Sequence, residues 1–96
     1  MGGWIFASGQ IPLDPEIEDQ ARRALRNLAA VLEAGGASLS QVARTTVYVT
    51  DLSLFPRINA VYGEFFPGEP APARATVEVS ALPLVALVEI DAIAVG

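Results

Sequence analysis

The 96-residue sequence predicts a single α+β domain whose elements follow the order β-α-β-α-β-β. Three observations support this fold class. The length fits one domain, β-branched and aromatic runs alternate with two stretches of helical periodicity, and turn-forming residues separate these segments. Elements in this order favour a mixed sheet with both helices on one face.

The first strand and the first helix are separated by a proline-containing turn. The apolar, aromatic-rich run Trp4 to Gln10 is typical of a strand. Asp14 and Pro15 then predict a helix start, with Asp14 as the N-cap and Pro15 at the first helical position. Apolar residues at helical spacing continue to Leu32, and Gly35-Gly36 predicts the helix end.

A second strand and a second helix follow. The β-branched run Val42 to Thr50 predicts the strand. Asp51 or Ser53 is expected to cap a helix that extends to about Phe66, and Pro56 is tolerated in its first turn.

Two further strands complete the predicted sheet. Residues 67–72 form a loop by composition, since proline and glycine dominate them. Strands are expected over Ala73 to Ser80 and Val85 to Val95, with a tight connection around Leu82-Pro83.

Strand alternation predicts a sheet with two different faces. One face is small and wholly apolar, which suits packing under two helices. Its expected members are Ile5, Ala7, Val47, Val49, Ala75, Val77, Val79, Val88, Ile90, Ala92 and Ala94. The other face is expected to hold Trp4, Phe6, Ser8, Arg44, Thr46, Tyr48, Arg74, Thr76, Glu78, Leu87, Glu89, Asp91 and Ile93. Because this second face mixes aromatic and charged groups, we expect an interface with polar sites built into it.

The low content of charged residues predicts an oligomer. Charged residues make up 18% of the chain, whereas about 25% of a typical soluble domain is charged. Area scaling indicates that a compact monomer would bury only about 64% of the surface of its unfolded chain. We therefore expect part of the surface to lie against other copies of the chain.

The missing residue types restrict the possible chemistry. The sequence contains no Cys, His or Lys, which excludes thiolate nucleophiles, imidazole bases and Schiff-base lysines. A catalyst in this chain must use carboxylates, hydroxyls, amides or arginine. We expect neither a cofactor nor a bound metal.

Charge and hydropathy restrict the partners. A net charge of −5 disfavours nucleic acid, because neutralisation of phosphates supplies most of that affinity. The first residues lack the charged region of a signal peptide. The apolar stretch near the C-terminus is interrupted by Glu89 and Asp91 and is too short to span a membrane. We expect a cytoplasmic protein with neither a nucleic-acid nor a membrane partner.

Four segments together resemble a known family. They are SGQIPLDP at 8–15, NLAAVLEAGGASLSQVARTTVYVTDLSLFPRINAVYGEFF at 27–66, PARATVEVSALP at 72–83 and VEIDAIAV at 88–95. In this order they resemble the Rid family, the reactive intermediate deaminases also called YjgF proteins. The resemblance covers nearly the whole chain and implies one domain over residues 1–96, the chorismate-mutase-like α+β fold, and a homotrimer with ligand sites between subunits.

The resemblance also implies an activity and the residues for it. The activity is hydrolysis of reactive enamines and imines, such as 2-aminoacrylate and 2-iminopropanoate, to 2-keto acids and ammonia. Arg74 is expected to bind the substrate carboxylate, since a guanidinium holds a carboxylate bidentately, and Glu89 to orient the attacking water. On the residues alone, an interfacial salt bridge of Arg74 to Glu78, Glu89 or Asp91 is the alternative.

Four further residues match positions near the family's ligand. Ser8 and Gly9 are expected to place a hydroxyl and backbone near the substrate, although they also suit a strand end. Thr76 is expected to help orient the ligand, and Asn59 to lie near the pocket. Thr76 equally suits an ordinary strand, and Asn59 a solvated helix surface.

Departures from the family pattern leave a second function open. A segment with a GPY-type motif before the first strand and a glycine-containing stretch after Pro15 are missing. We expect either a domain shortened at both places or a sequence in which pieces of the natural protein are not represented. The alternative function is a non-catalytic module that binds a small carboxylate or keto acid. Some relatives are described as ribonucleases, but the acidic charge and the absence of histidine disfavour that activity here. A chorismate mutase of the same fold is disfavoured because the four segments resemble the Rid family.

Overall fold

Four strands and two α helices alternate along the chain in the predicted order. The computed structural model describes residues 3–10, 15–68 and 71–95, and for residues 8–10 the backbone alone. Its elements are β1 (Trp4–Gln10), α1 (Ile17–Ala34), β2 (Val42–Val49), α2 (Phe55–Phe65), β3 (Ala73–Glu78) and β4 (Val88–Val95). The predicted α+β fold class is confirmed.

The four strands form one mixed sheet in the order β1-β4-β2-β3. Strand β4 pairs antiparallel with β1 and with β2, whereas β2 and β3 are parallel. A parallel pair needs a crossover connection, and α2 supplies it. Both helices therefore cover the same face of the sheet, which we call the helix face, and the opposite face is called the open face.

The core lies between α1 and the central strands. Leu25, Leu28 and Leu32 recur at helical spacing on α1 and are fully buried, as are Val47 on β2 and Ile90 on β4. Full burial of a side chain of this size stabilises the fold by about 1.5–3 kcal/mol. The apolar stripe of α1 is therefore the main attachment of the helix layer.

Helix α1 begins later than predicted. Pro15 precedes the helix instead of occupying its first position, and Glu16 stands at the N-cap without a side-chain hydrogen bond. The predicted cap Asp14 lies outside the described residues. Glu18 and Asp19 in the first turn favour this start, because carboxylates interact favourably with the positive end of the helix dipole.

The C-terminal end of α1 is as predicted. Gly36 has a φ of 84°, a conformation that glycine adopts at little cost. Its N–H donates to the carbonyl of Glu33 at 3.0 Å, and the N–H of Ala37 donates to the carbonyl of Leu32 at 2.8 Å. These two bonds form a Schellman motif, which directs the chain back toward the sheet.

Asp51 is confirmed as a capping residue, but the element that it caps is a short turn that directly precedes α2. Its carboxylate accepts a hydrogen bond from the backbone N–H of Ser53 at 2.9 Å and so caps a 3-10 turn over residues 52–54. Pro56 lies in the first turn of α2, as predicted.

The last two strands are shorter than predicted. Strand β3 ends at Glu78, and β4 begins at Val88 rather than Val85. Leu84 and Val85 have φ values of 58° and 59° within a 3-10 turn. A strand cannot continue through backbone in this left-handed region, so the turn delays β4.

The face predicted for β3 is wrong. In the parallel register Thr45 lies beside Arg74 and Val47 beside Thr76, and both of these β2 residues are buried under the helices. Arg74, Thr76 and Glu78 therefore lie on the helix face, while Ala75 and Val77 lie on the open face. Strand β3 is an edge strand and remains partly exposed on both faces. The alternation of its polar and apolar residues therefore does not indicate which face the helices cover.

The predicted faces are confirmed for residues 4–7 of β1, for β2 and for β4. The side chain of Ser8 lies outside the described residues, and Leu87, expected on the open face, precedes β4 and packs against the core. Ala7, Val47, Val49 and the even-numbered residues 88–94 are buried on the helix face. On the open face Trp4 and Phe6 are 66% and 73% exposed. Within the described ranges, no helix is long and apolar enough to cross a membrane.

Truncation of Leu28 tests the assignment of the core. Because Leu28 is fully buried, we expect Leu28→Ala to lower the free energy of unfolding by about 2–5 kcal/mol. The matched control is Val31→Ala on the same helix, where the side chain is 41% exposed and the expected change is within about 0.5 kcal/mol. Urea denaturation at several protein concentrations measures both, and equal losses would contradict the assignment.

Candidate functional site

Arg74 is held by three side chains of α2. Its Nη1 donates a hydrogen bond to Oδ1 of Asn59 at 2.7 Å. Its Cζ lies 4.5 Å from the centroid of the Tyr62 ring and 5.1 Å from that of Phe55. Positions 55, 59 and 62 share one helix face, because they are spaced at i, i+4 and i+7. The crossover helix thus presents an amide and two aromatic rings to the arginine on β3.

This arrangement leaves the charge of Arg74 available. Asn59 is neutral, and among residues 3–10, 15–68 and 71–95 no carboxylate pairs with Arg74. A guanidinium has five N–H donors, so one bond to Asn59 leaves donors for an anion. The aromatic rings are attracted to the cation and restrict its orientation. The site can therefore hold a planar carboxylate.

Thr76 joins Arg74 on the same side of the sheet. It follows Arg74 by two residues on β3, lies beside Val47 of β2 and is half-buried. Asn59, Arg74 and Thr76 are thus brought together on the helix face, on α2 and the edge strand under it.

Glu89 lies apart from this group. It stands on the open face of β4, directly opposite Tyr48 of β2 in the antiparallel register. Strand β2 separates β4 from β3, so the two residues are offset by two strand spacings, about 10 Å, and point to opposite faces. The expectation that one face of one chain holds both Arg74 and Glu89 is wrong.

Tyr48 forms a hydrogen-bonded pair beside Glu89. Its hydroxyl donates to Oδ2 of Asp91 at 3.2 Å. Burial raises the pKa of Tyr48, and the charge and hydrogen bond of Asp91 raise it further. Tyr48 therefore stays a neutral phenol. A depression of about 380 Å³ next to this pair is lined by Phe6, Thr46, Asp91 and Ile93 among others.

Ser8 and Gly9 lie on the β4 side of the sheet. Their backbone belongs to β1, between Ala7, which pairs with Ala92, and Gln10, which pairs with Ile90. The side chain of Ser8 lies outside the described residues. Because β1 and β3 are opposite edges of the sheet, these residues do not reach Arg74 within one chain.

A larger cavity lies away from the predicted residues. It measures about 570 Å³, and its lining includes Leu39, Val42, Phe65, Phe66 and Pro72. Among the predicted site residues whose side chains the structure describes, none lines it. In the part of the chain that the structure describes, no group of three or more acidic, histidine or cysteine side chains could hold a metal ion.

Comparison with known proteins identifies the family. A family model described as Endoribonuclease L-PSP matches residues 1–96. The chain belongs to the YjgF/Rid family. The family resemblance seen in the sequence is confirmed.

Two relatives and one solved structure illustrate the range of the YjgF/Rid family. Protein DfrA from Myxococcus xanthus is 54% identical, over 99% of this chain and 78% of its own. The 2-iminobutanoate/2-iminopropanoate deaminase of Salmonella typhimurium is 42% identical, over 99% of this chain and 81% of its own. The crystal structure of E. coli TdcF with bound serine has a TM-score of 0.91 at 40% identity, covering 97% of this chain and 80% of that one.

Sequence reasoning did not single out Phe55 and Tyr62, whose rings lie against Arg74. Large rings on a helix that covers a sheet suit its apolar stripe equally well. Their spacing to Asn59 was a usable signal, because positions i, i+4 and i+7 share one helix face. Their contact with Arg74 was hidden, because it depends on the face that β3 turns toward the helices.

The Tyr48–Asp91 pair predicts a pH dependence. The folded state raises the pKa of Tyr48 above the usual 10.0 of a tyrosine. The neutral phenol therefore adds to the free energy of unfolding below pH 10.0, and this contribution is lost as the pH rises through the folded-state pKa. Asp91→Asn removes the charge, so the pKa should fall toward 10.0. Phenolate absorbance during alkaline titration measures it.

The control for this titration is Tyr48→Phe. The chain has two tyrosines, so the difference between the wild type and this variant isolates Tyr48. An unchanged midpoint in Asp91→Asn would show that Asp91 does not act on the phenol.

Proposed function

We propose that the chain hydrolyses small 2-imino acids and their enamine tautomers to 2-keto acids and ammonia. The observation that carries this proposal is the Arg74 guanidinium, which α2 orients and which pairs with no described carboxylate. A relative named 2-iminobutanoate/2-iminopropanoate deaminase, 42% identical over nearly the whole chain, supports the same substrate class.

Arg74 is the carboxylate receptor in this proposal. The substrate carboxylate accepts two parallel hydrogen bonds from the free edge of the guanidinium, and each such charge-assisted bond contributes about 1.5–3 kcal/mol. Thr76, on the same face, orients the bound acid through its hydroxyl. Asn59 acts on the opposite edge of the guanidinium and fixes its rotation.

The complete site is shared by two copies of the chain. Arg74, Asn59 and Thr76 lie on the helix side of one sheet edge, whereas Glu89 and the Ser8–Gly9 backbone lie on β4 and β1. These two groups cannot meet in one chain. In a homotrimer each Arg74 group faces the Glu89 group of a neighbour, and the exposed rings of Trp4 and Phe6 are covered.

The reaction needs no covalent intermediate. The imine carbon is already electrophilic, and Glu89 orients a water molecule and accepts its proton as the oxygen bonds to that carbon. Transfer of this proton from Glu89 to the imine nitrogen gives a carbinolamine, which carries a hydroxyl and an amine on one carbon. Glu89 then takes the hydroxyl proton and passes it to the amine, and the carbonyl forms as the carbon–nitrogen bond breaks. One imino acid and one water thus give one keto acid and one ammonia.

Loss of Arg74 tests the carboxylate receptor. With 2-aminoacrylate supplied by a serine dehydratase, we expect wild-type protein to accelerate pyruvate formation over buffer. Arg74→Ala should lower kcat/KM by at least about a hundredfold, because two charge-assisted hydrogen bonds are lost.

The control for this assay is Arg57→Ala. Arg57 is an exposed arginine of α2 that pairs with Glu18, and its loss should leave the rate unchanged. No acceleration by the wild type, or equal acceleration by Arg74→Ala, would overturn the proposal.

Mixing two inactive variants tests the shared site. At substrate concentrations well below KM, Arg74→Ala and Glu89→Gln should each have little activity alone. After they are unfolded together and refolded in equal amounts, about a quarter of the interfaces combine an intact Arg74 with an intact Glu89, so about a quarter of the activity should return. Absence of recovery in assembled mixtures would show that the site does not combine these two residues across an interface.

A binding module remains the second candidate function. It is favoured by the TdcF relative, whose structure contains serine, a small carboxylic acid that is not an imine. This candidate predicts saturable, Arg74-dependent binding of pyruvate without any acceleration of its formation.

RNA cleavage is not favoured, although the family model is described as an endoribonuclease. The chain has a net charge of −5 and no histidine. Both features oppose binding of a polyanion and acid–base cleavage of it.

A further inference from the structure

A buried pair of hydroxyl groups lies beneath Arg74. Oγ1 of Thr45 and the hydroxyl of Tyr62 are 2.7 Å apart, and the two residues are 0% and 6% exposed. On the helix face of β2, Thr45 is followed at alternate positions by Val47 and Val49. A valine, which has a similar shape, would pack equally well at position 45, so packing alone does not explain a threonine there. A buried hydroxyl is costly unless it is hydrogen-bonded, and the Tyr62 hydroxyl supplies that bond.

This pair lies next to the arginine on two different elements. Thr45 is the β2 residue directly beside Arg74 in the parallel register, and the Tyr62 ring lies under the guanidinium at 4.5 Å. The Tyr62 ring also packs on Phe66, with centroids 4.7 Å apart. Residues 45, 62 and 74 thus join β2, α2 and β3 at one point.

We propose that Tyr62, anchored by Thr45, is a positioning residue that holds the Arg74 guanidinium in the plane it presents to a carboxylate. This inference rests on the proposed role of Arg74 as the carboxylate receptor. The hydroxyl bond prevents the ring from sliding, and the ring prevents the guanidinium from tilting. A flexible arginine would lose rotamer freedom on binding its ligand, and order present beforehand removes that cost.

The positioning role predicts a particular kinetic pattern. Arg74 holds the carboxylate in the ground state and in the transition state alike, so a loss of its order weakens both by the same amount. KM then rises while kcat is kept. A role limited to core stability would lower the melting temperature and leave KM unchanged in the folded protein.

Three conservative substitutions separate these outcomes. Tyr62→Phe and Thr45→Val each break the hydroxyl bond and keep the packing, whereas Thr45→Ser keeps a hydroxyl. We expect KM, and the dissociation constant for pyruvate, to rise about threefold to tenfold in the first two variants with kcat within about twofold. Thr45→Ser should restore values near the wild type.

A second measurement does not depend on turnover. In ligand-free protein, NMR relaxation of the Arg74 Nε–H group should show an ordered side chain in the wild type and in Thr45→Ser. The same group should be mobile in Tyr62→Phe and Thr45→Val. If one variant does not fold, the other breaks the same hydrogen bond.

The outcomes distinguish this inference from the function on which it rests. An Arg74 side chain that stays ordered, or a KM that stays at the wild-type value, in Tyr62→Phe and Thr45→Val would overturn the positioning role. Loss of order and weaker pyruvate binding in a protein that does not accelerate deamination would support positioning and overturn the deaminase activity.

Discussion

The parallel pairing of β2 with β3 is the constraint on which the site depends. Two parallel neighbours cannot be joined by a tight turn, so the chain must cross over the sheet, and α2 is that crossover. A helix in this place lies above the edge strand that it leads into. Arg74 therefore meets the side chains of α2, while Glu89, on an antiparallel strand, faces the other way. The separation of Arg74 from Glu89 within one chain follows from the topology.

The order of elements and most of their faces could be predicted from the sequence, because central strands buried on one side alternate clearly. The failure at β3 has a physical cause. An edge strand has one neighbour, and Arg74 and Thr76 find polar or aromatic partners on the helix side. Polar side chains on this edge strand therefore do not identify its solvent-exposed face. The family resemblance placed Asn59 near the pocket, whereas the residues alone left a solvated helix surface open, because its hydrogen bond to Arg74 on β3 leaves no mark in local sequence.

Net charge and local charge have opposite effects on an anionic ligand. The chain carries a net charge of −5, which repels a carboxylate at long range. At physiological ionic strength such repulsion fades over about 8 Å, whereas a direct guanidinium contact is much shorter. Under the proposed function, binding of the carboxylate therefore depends on the immediate surroundings of Arg74, where Asn59, Phe55 and Tyr62 are all uncharged.

Trp4 gives the protein an intrinsic optical reporter. It is the single tryptophan of the chain, and its indole is 66% exposed on the open face. Contact with a second copy would move this indole from water into an apolar environment, which shifts the emission of tryptophan to shorter wavelength. The fluorescence of the unlabelled protein would therefore report any association of copies through the open face, and dilution would measure its affinity without any added dye.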